Sequence, residues 1–276
     1  MKKMISVIVP TTGDREEEFQ RLCNSLDKQD YKNFELIVCS QKNHEKIESI
    51  LQEFHFDKNH VKLDKLGLSN ARNIGITHAK GEIVTFSDDD CWYLKDSFSN
   101  VIKTFNENNS DVACFQMFDP TLNEYLKNYP VQSKSKLSMV DLFSKSSIEI
   151  FINMSTVKLE DIYFDVNFGL GAIYSSGEEN ILLSDLFRKS YNISYFPIVI
   201  VYHPKKISSQ SHLSYQHVIS KGPLFSRIYN KPLGLILLTL FFLKKYSKIK
   251  NPFKLYFHSL KSLQKYNTKL LNDLEK

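Results

Sequence analysis

The stretch Gly81-Glu82-Ile83-Val84-Thr85-Phe86-Ser87-Asp88-Asp89-Asp90 joins a short β-prone run to three adjacent carboxylates. Residues 82–87 have the β-branched and aromatic content of a buried strand, entered through Gly81. Three neighbouring acids repel one another and are costly unless solvated or bound to a cation. At the end of a buried strand they face the crevice where α/β sheets gather their ligands. Hard oxygen donors of this kind suit Mg2+ or Mn2+, which can share their remaining positions with a diphosphate. A solvated acidic turn is the competing reading.

The residues before this stretch repeat the same strand–helix alternation. Ile5–Val9 is a β-branched run closed by Pro10. Asp14 then precedes Glu16, Glu17 and Glu18, acids that suit the positive start of a helix striped by Phe19, Leu22 and Leu26. Phe34–Cys39 reads as a second strand, Ile47, Ile50, Leu51 and Phe54 as a helix, and Val61–Leu63 as a short third strand. Ser69 is a candidate cap for a helix running to about His78. Such alternation predicts a mostly parallel sheet covered by helices, with polar clusters Thr11–Asp14, Ser40–Gln41 and Asp88–Asp90 at its carboxyl edge. Within Gly67–Gly75, Arg72 has the planar donor fork that meets a phosphate bidentately, or equally a structural carboxylate.

After the acids, Phe98–Phe105 carries helical spacing and Asp111–Phe118 a strand. Residues 119–147 read as a long polar loop over the site, and Ile148–Met154 resumes strand character. Gly169, Gly171 and Gly177 precede a helix from Glu178 to about Lys189, and Ile198–Tyr202 closes the series at His203-Pro204. Composition then shifts: Leu233–Leu243 is almost wholly apolar and Lys244, Lys245, Lys248 and Lys250 follow it. That run is either a core helix of the tail or one lying in a membrane interface. His212, His217 and His258 lack ligand spacing and read as surface histidines; Trp92 reads as a sugar platform or a rim aromatic.

The 276 residues, 42% hydrophobic and 24% charged, suffice for one large α/β domain with an appendage. The net charge of +5 is mild, and no nucleic-acid motif accompanies it, so nucleic acid is not an expected partner. Cys23, Cys39, Cys91 and Cys114 form no CxxC pair, so neither a zinc site nor a redox motif is suggested, and a reducing, cytoplasmic setting is the simpler inference. The apolar run of the N-terminus is too short for a signal peptide, and no stretch reaches the ~18–20 apolar residues of a spanning helix.

Taken in order, Ser6-Val7-Ile8-Val9-Pro10-Thr11, the Gly67–Gly75 segment and Gly81–Asp90 resemble family 2 glycosyltransferases with the GT-A fold. Asp165, Phe168-Gly169-Leu170-Gly171 and Gly177-Glu178-Glu179-Asn180 resemble that family's acceptor-side segment. The resemblance implies that Asp88 and Asp90 hold a nucleotide diphosphate through Mn2+ or Mg2+, with Asp89 toward the sugar or ribose. It implies a nucleotide-binding first turn at Pro10, Thr11 and Asp14, with Arg72 near the diphosphate. Glu178 and Glu179 align with the segment bearing the acceptor's general base, and His203 resembles a histidine found near the metal or diphosphate. Two departures stand out. The second strand ends Val38-Cys39-Ser40-Gln41 where an acidic segment commonly reads the base, and Glu178-Glu179 replaces the usual Glu-Asp.

The expectation is therefore an α/β, GT-A-type catalytic domain over 1–205 and a basic, amphipathic helical tail over 206–276. It would be an inverting, metal-dependent glycosyltransferase moving a sugar from a nucleoside-diphosphate donor, a UDP-sugar being expected, to a glycan or lipid-linked acceptor in bacterial surface-polysaccharide synthesis. The tail would hold it peripherally on the inner face of the membrane. A non-catalytic sugar- or nucleotide-binding module on the same fold is the alternative, since fold alone does not fix function. A dehydrogenase is disfavoured because no GxGxxG follows the first strand, and a sugar nucleotidyltransferase because no glycine-rich amino-terminal phosphate loop is present.

Overall fold

Ile5–Thr11 forms β1, and every one of its residues is buried, as a strand covered on both faces must be. Its side chains alternate: Ile5, Val7 and Val9 enter one apolar cluster and Ile8 the other. The computed structural model describes residues 3–205 and 213–274. β1 is followed by α1 (Glu16–Asp27), β2 (Phe34–Ser40), α2 (His44–Gln52), β3 (Asp57–Lys62), α3 (Leu68–Thr77) and β4 (Ile83–Phe86). These strands lie parallel in the order β3-β2-β1-β4. α1 and α2 cover one face, and α3 covers the other through Ala71 and Ile76.

Pairing between β1 and β4 stops at Ile8–Phe86, whereas β1 stays paired with β2 as far as Thr11–Ser40. Pro10 thus sits where no β4 ladder needs its missing N–H. The chain beyond Phe86 parts from β1 there, opening the crevice into which Asp88–Asp90 project.

The second half is β5 (Trp92–Tyr93), α4 (Ser97–Glu107), β6 (Val112–Asp119), β7 (Glu124–Tyr125), α5 (Met139–Leu142), β8 (Ile150–Asn153), α6 (Glu178–Arg188) and β9 (Ile193–Tyr202). β8 enters antiparallel between β4 and β6, and β9 pairs parallel with β6, extending the order to β3-β2-β1-β4-β8-β6-β9-β5. The parallel sheet expected from alternation therefore gains an antiparallel insertion at β8. Central sheet, flanking helices and helical C-terminal region together are the expected GT-A-type α/β architecture. Residues 119–147 are not a plain loop. They carry β7 and α5, and Lys127 and Tyr129 clamp them onto the fully buried Glu149.

Three local expectations need correction. The third strand begins at Asp57, earlier than Val61: its sequence DKNHVK has no fully buried residue because it is a sheet edge, so its apolar signal is weak. Ser69 does not cap α3; Gly67, at φ 142°, occupies that position, and Ser69 donates instead to the Phe168 carbonyl. His217 and His258 are half-buried, and burial pushes His217 down to about 4. His212 lies outside the described residues.

The tail folds as α7 (Tyr215–Ile219), α8 (Lys221–Ile228), α9 (Lys231–Lys245) and α10 (Pro252–Leu274). α8 seats against α6, and Arg227 grips Asp185 through two nitrogens and Asp165 through a third. Tyr266 packs on Phe168 and Tyr174. No helix among the described residues is long and apolar enough to cross a membrane.

Candidate active site

The acids after β4 are fixed by a tight turn. The Cys91 amide and thiol both donate to the Asp88 carbonyl, at 3.3 and 3.1 Å, and the thiol is buried beside Ser87. Each carboxylate then meets its own partners. Asp88 accepts from Arg72 at 3.1 Å; Asp89 accepts from Thr11 Oγ1 at 2.7 Å and from Arg15 at 3.0 Å; Asp90 accepts from Arg15 at 2.6 Å. Asp89 and Asp90 are each only 8% exposed, so a solvated acidic turn does not describe the cluster. Burial raises the Asp89 carboxyl above its ordinary range against the pull of Thr11 and Arg15.

His203, at the end of β9, completes the group. Its Nε2 lies 3.2 Å from Asp90 Oδ1 and its Nδ1 is 2.8 Å from the Pro204 carbonyl. Burial alone would lower its pKa, but the bond to Asp90 and the nearby carboxylates outweigh it and the net shift is upward. With Nδ1–H given to the carbonyl, Nε2 is the nitrogen left for a cation. One ligand atom from each of Asp88, Asp90 and His203 lies within 4.8 Å of the others. Two carboxylates and an imidazole so close, with second partners orienting them, fit a Mn2+- or Mg2+-class ion.

Arg72 is the hub. Its side chain is 1% exposed and bonds Ser147 Oγ at 2.7 Å, Asp88 at 3.1 Å and Glu178 at 3.3 Å, lying over the Phe164 ring. Of the partners left open for it, the carboxylates are the ones in place, one on either side, while the guanidinium also lines the cleft. Glu178 and Glu179 open α6 from Gly177, whose φ of 106° sets the turn. A Cβ at Gly177 would lie 2.7 Å from a methyl of the buried Leu224, so a side chain there would push on α8. Glu179 is half-buried in the cleft wall, and burial reinforced by Glu178 pushes its carboxyl up to about 8.

Pro10, Thr11, Asp14, Arg72, Asp88, Asp89, Asp90, Glu178, Glu179 and His203 all line one cleft of about 530 Å3. That volume is in the range of small-ligand sites, ~300–1,000 Å3. Asp14 stands at its rim, held by Thr12 and Asn43. Trp92 does not line it; its ring stacks on the Arg21 guanidinium at 3.9 Å. Sequence reasoning missed Arg15, Ser147 and the part played by Gln41, whose side chain accepts from the Gly67 amide at 2.5 Å. Arg15 directly follows Asp14 in the first loop, so a cation at the carboxyl edge of β1 was the available signal.

Residues 6–161 match the model of glycosyl transferase family 2. The chain belongs to that family. It is 29% identical over 172 residues to the GalNAc(5)-diNAcBac-PP-undecaprenol beta-1,3-glucosyltransferase of Campylobacter jejuni, which covers 59% of this chain and 55% of the relative. It is 31% identical over 119 residues to the poly(ribitol-phosphate) beta-N-acetylglucosaminyltransferase TarS of Staphylococcus aureus, over 41% of this chain and 20% of TarS. The chain thus spans about half of the first relative and a fifth of the second. Among solved structures, S. aureus TarS 1-349 in complex with UDP-GlcNAc superposes with a TM-score of 0.66 at 20% identity, covering 89% of this chain and 73% of that one. The mannosyltransferase PcManGT of Pyrobaculum calidifontis, in complex with GDP-Man and Mn2+, superposes at 0.57 and 15% identity, covering all of this chain and 76% of that one. At these identities the superpositions speak for the fold.

Proposed function

We propose that the protein is an inverting glycosyltransferase that moves a sugar from a nucleoside-diphosphate donor to a hydroxyl of a glycan or lipid-linked acceptor in bacterial surface-polysaccharide synthesis. The observation that carries this is the joining, through Arg72, of a cation-ready Asp88/Asp90/His203 group to the carboxylates Glu178 and Glu179 in one cleft. A pure binding module needs no half-buried carboxyl with a raised pKa on the acceptor side; a base does. UDP-GlcNAc is the ligand of the TarS complex and an undecaprenol-linked glycan appears in the name of the Campylobacter relative, which supports a UDP-sugar and a lipid-linked acceptor here. On this reading the enzyme would work peripherally at the inner membrane face, where it meets such an acceptor. The domain division at 205/206 belongs to the same reading, with the tail bracing the acceptor side.

In this mechanism Pro10, Thr11 and Asp14 border the nucleotide, and Asp89, fixed by Thr11, faces its ribose or sugar. Asp88, Asp90 and His203 would hold a divalent cation, which would supply positive charge to the diphosphate. Arg15 is 41% exposed and sits at the carboxylates, so it can trade them for a phosphate and offset charge growing on the leaving oxygen. Arg72 keeps Asp88 and Glu178 in register. Glu179 takes the proton of the acceptor hydroxyl as that oxygen attacks the anomeric carbon from the face opposite the leaving group. One displacement with no covalent enzyme intermediate inverts the centre.

A panel of nucleotide sugars with Mn2+ tests the proposal, reading donor hydrolysis and thermal shift. Release of nucleoside diphosphate from one donor, with a product of inverted configuration by NMR, is expected. Binding of donors without turnover, with any acceptor, would favour the module.

A further inference from the structure

We propose that the outer face of α9 and the first turns of α10 form a docking surface for an anionic lipid bilayer. On α9, Gly234, Leu238 and Phe242 turn inward, while Leu233, Ile236, Leu240 and Leu243 are exposed. These four are spaced three, four and three residues apart, a stripe on the side opposite the buried one, with Leu235 also exposed on its flank. Leu243 leads into Tyr246, whose ring lies 6.1 Å from that of Phe253. Phe253 and Phe257, one turn apart on α10, are 72% and 65% exposed. The apolar stripe is therefore continuous from α9 onto α10, and larger than the scattered apolar residues of an ordinary surface.

Charge identifies the occupant. No Asp or Glu occurs between Asp185 and Asp273, while residues 213–266 carry ten lysines and arginines. Lys231, Lys244, Lys248, Lys250, Lys254 and Lys261 are exposed around the stripe. A second copy of the chain would bring like charges together with no acids on this face to answer them. An apolar stripe ringed by cations instead suits anionic headgroups above acyl chains, and α9, at 15 residues, is too short to cross them.

The tail also fixes what such docking would orient. α8 presses Leu224 on Gly177, Ser220 accepts from the Ser175 amide at 3.1 Å, and Tyr266 packs on Phe168. The bilayer-facing helices and the segment carrying Glu178 and Glu179 are thereby one packed unit. This deepens the lipid-linked-acceptor reading and rests on it only for its purpose, because vesicle binding is read without donor or acceptor.

The test is flotation of the full chain with vesicles of phosphatidylcholine alone or mixed with phosphatidylglycerol, at low and high salt. Binding to the anionic vesicles, weakened by salt, is expected. The double variant L240E/F257E should bind at least about ten-fold more weakly. K244E/K248E should lose about twenty-fold, at roughly five-fold per lysine near the surface. All these side chains are exposed, so unchanged melting temperatures should accompany the losses. If the wild type ignores anionic vesicles, or either variant floats as well as the wild type, the proposal is overturned. So is it if sedimentation shows a dimer that L240E/F257E dissociates, which would make the stripe an interface between copies. A protein that floats yet transfers no sugar leaves the docking surface standing and sinks the enzymatic reading instead.

Discussion

Replacing Arg72 by Met keeps its alkyl packing against Phe164 and removes every polar contact it makes. The cost can be worked contact by contact. Asp88 is 37% exposed, so its pair with Arg72 counts as a surface pair, below about 1 kcal/mol. Glu178 is 9% exposed and Ser147 is buried; hydrogen bonds to a charged group in such places contribute about 1.5–3 kcal/mol each. Stranding a buried carboxylate costs about 3–5 kcal/mol by itself and overlaps those figures, so R72M should lose about 4 kcal/mol in all. Urea unfolding followed by circular dichroism measures this, the midpoint moving down at unchanged slope. E178Q relieves the stranded charge, so R72M in that background should cost at least ~1 kcal/mol less than in the wild type, a coupling that a double-mutant cycle isolates. A loss below about 1 kcal/mol for R72M, or strict additivity with E178Q, would refute the idea that this arginine joins the two halves of the site.

Glu179→Gln should keep donor affinity and lose transfer by about 10²-fold or more. A base raised to about 8 is protonated at neutral pH, so the wild-type rate should climb with pH up to about 8 and then level, a limb absent in E179Q; a larger loss in E178Q would reassign the base. The same shift costs stability. The native carboxyl keeps its proton up to about pH 8, while the unfolded chain releases it in the ordinary carboxylate range, so stability falls across that window in the wild type and not in E179Q. Gly177→Ala, at φ 106° and against Leu224, should lower stability by about 2 kcal/mol, read from the melting temperature; an unchanged value would show that α8 yields easily. Asp90→Asn should abolish Mn2+-dependent nucleoside-diphosphate binding in calorimetry while the fold is kept; equal binding with EDTA in the wild type would contradict the cation site.

What could be read from the chain follows from where each signal lies. β1, β2 and β4 are buried on both faces, so their sequences are mostly apolar runs, broken only by Ser6, Glu35 and Thr85 and their polar ends, that need no partner to be recognised. β3 is an edge strand, so only its apolar end at Val61 was legible and its polar start at Asp57 was not. The strand at Ile150–Asn153 was legible, but its antiparallel direction was not, because direction is set by how residues 119–147 return across the sheet. In the site, Asp88–Asp90 were visible because consecutive acids at a strand end have few explanations. Arg15 was not, because its partners stand 74 and 75 positions away. Arg72 shows the limit most plainly: residue type allowed either a phosphate or a carboxylate partner, and only the fold brings Asp88 and Glu178 to it from 16 and 106 positions away.

The charges explain why so many elements converge on this cleft. Asp14, Asp88, Asp89, Asp90, Glu178 and Glu179 line it, against Arg15, Arg72 and His203. Six carboxylates against two guanidiniums leave −4; a charged His203 and a protonated Glu179 reduce that only to −2. A diphosphate brings about two further negative charges, and in a partly buried cleft like charges repel more strongly than in water. The two guanidiniums lining the cleft are already engaged, Arg72 between Asp88 and Glu178 and Arg15 between Asp89 and Asp90. A divalent ion on Asp88, Asp90 and a neutral His203 would cut the balance from −3, with Glu179 protonated, to −1 and weaken the hold of Asp90 on Arg15. Cation and nucleotide should then each raise the other's affinity by the same factor, as linkage requires.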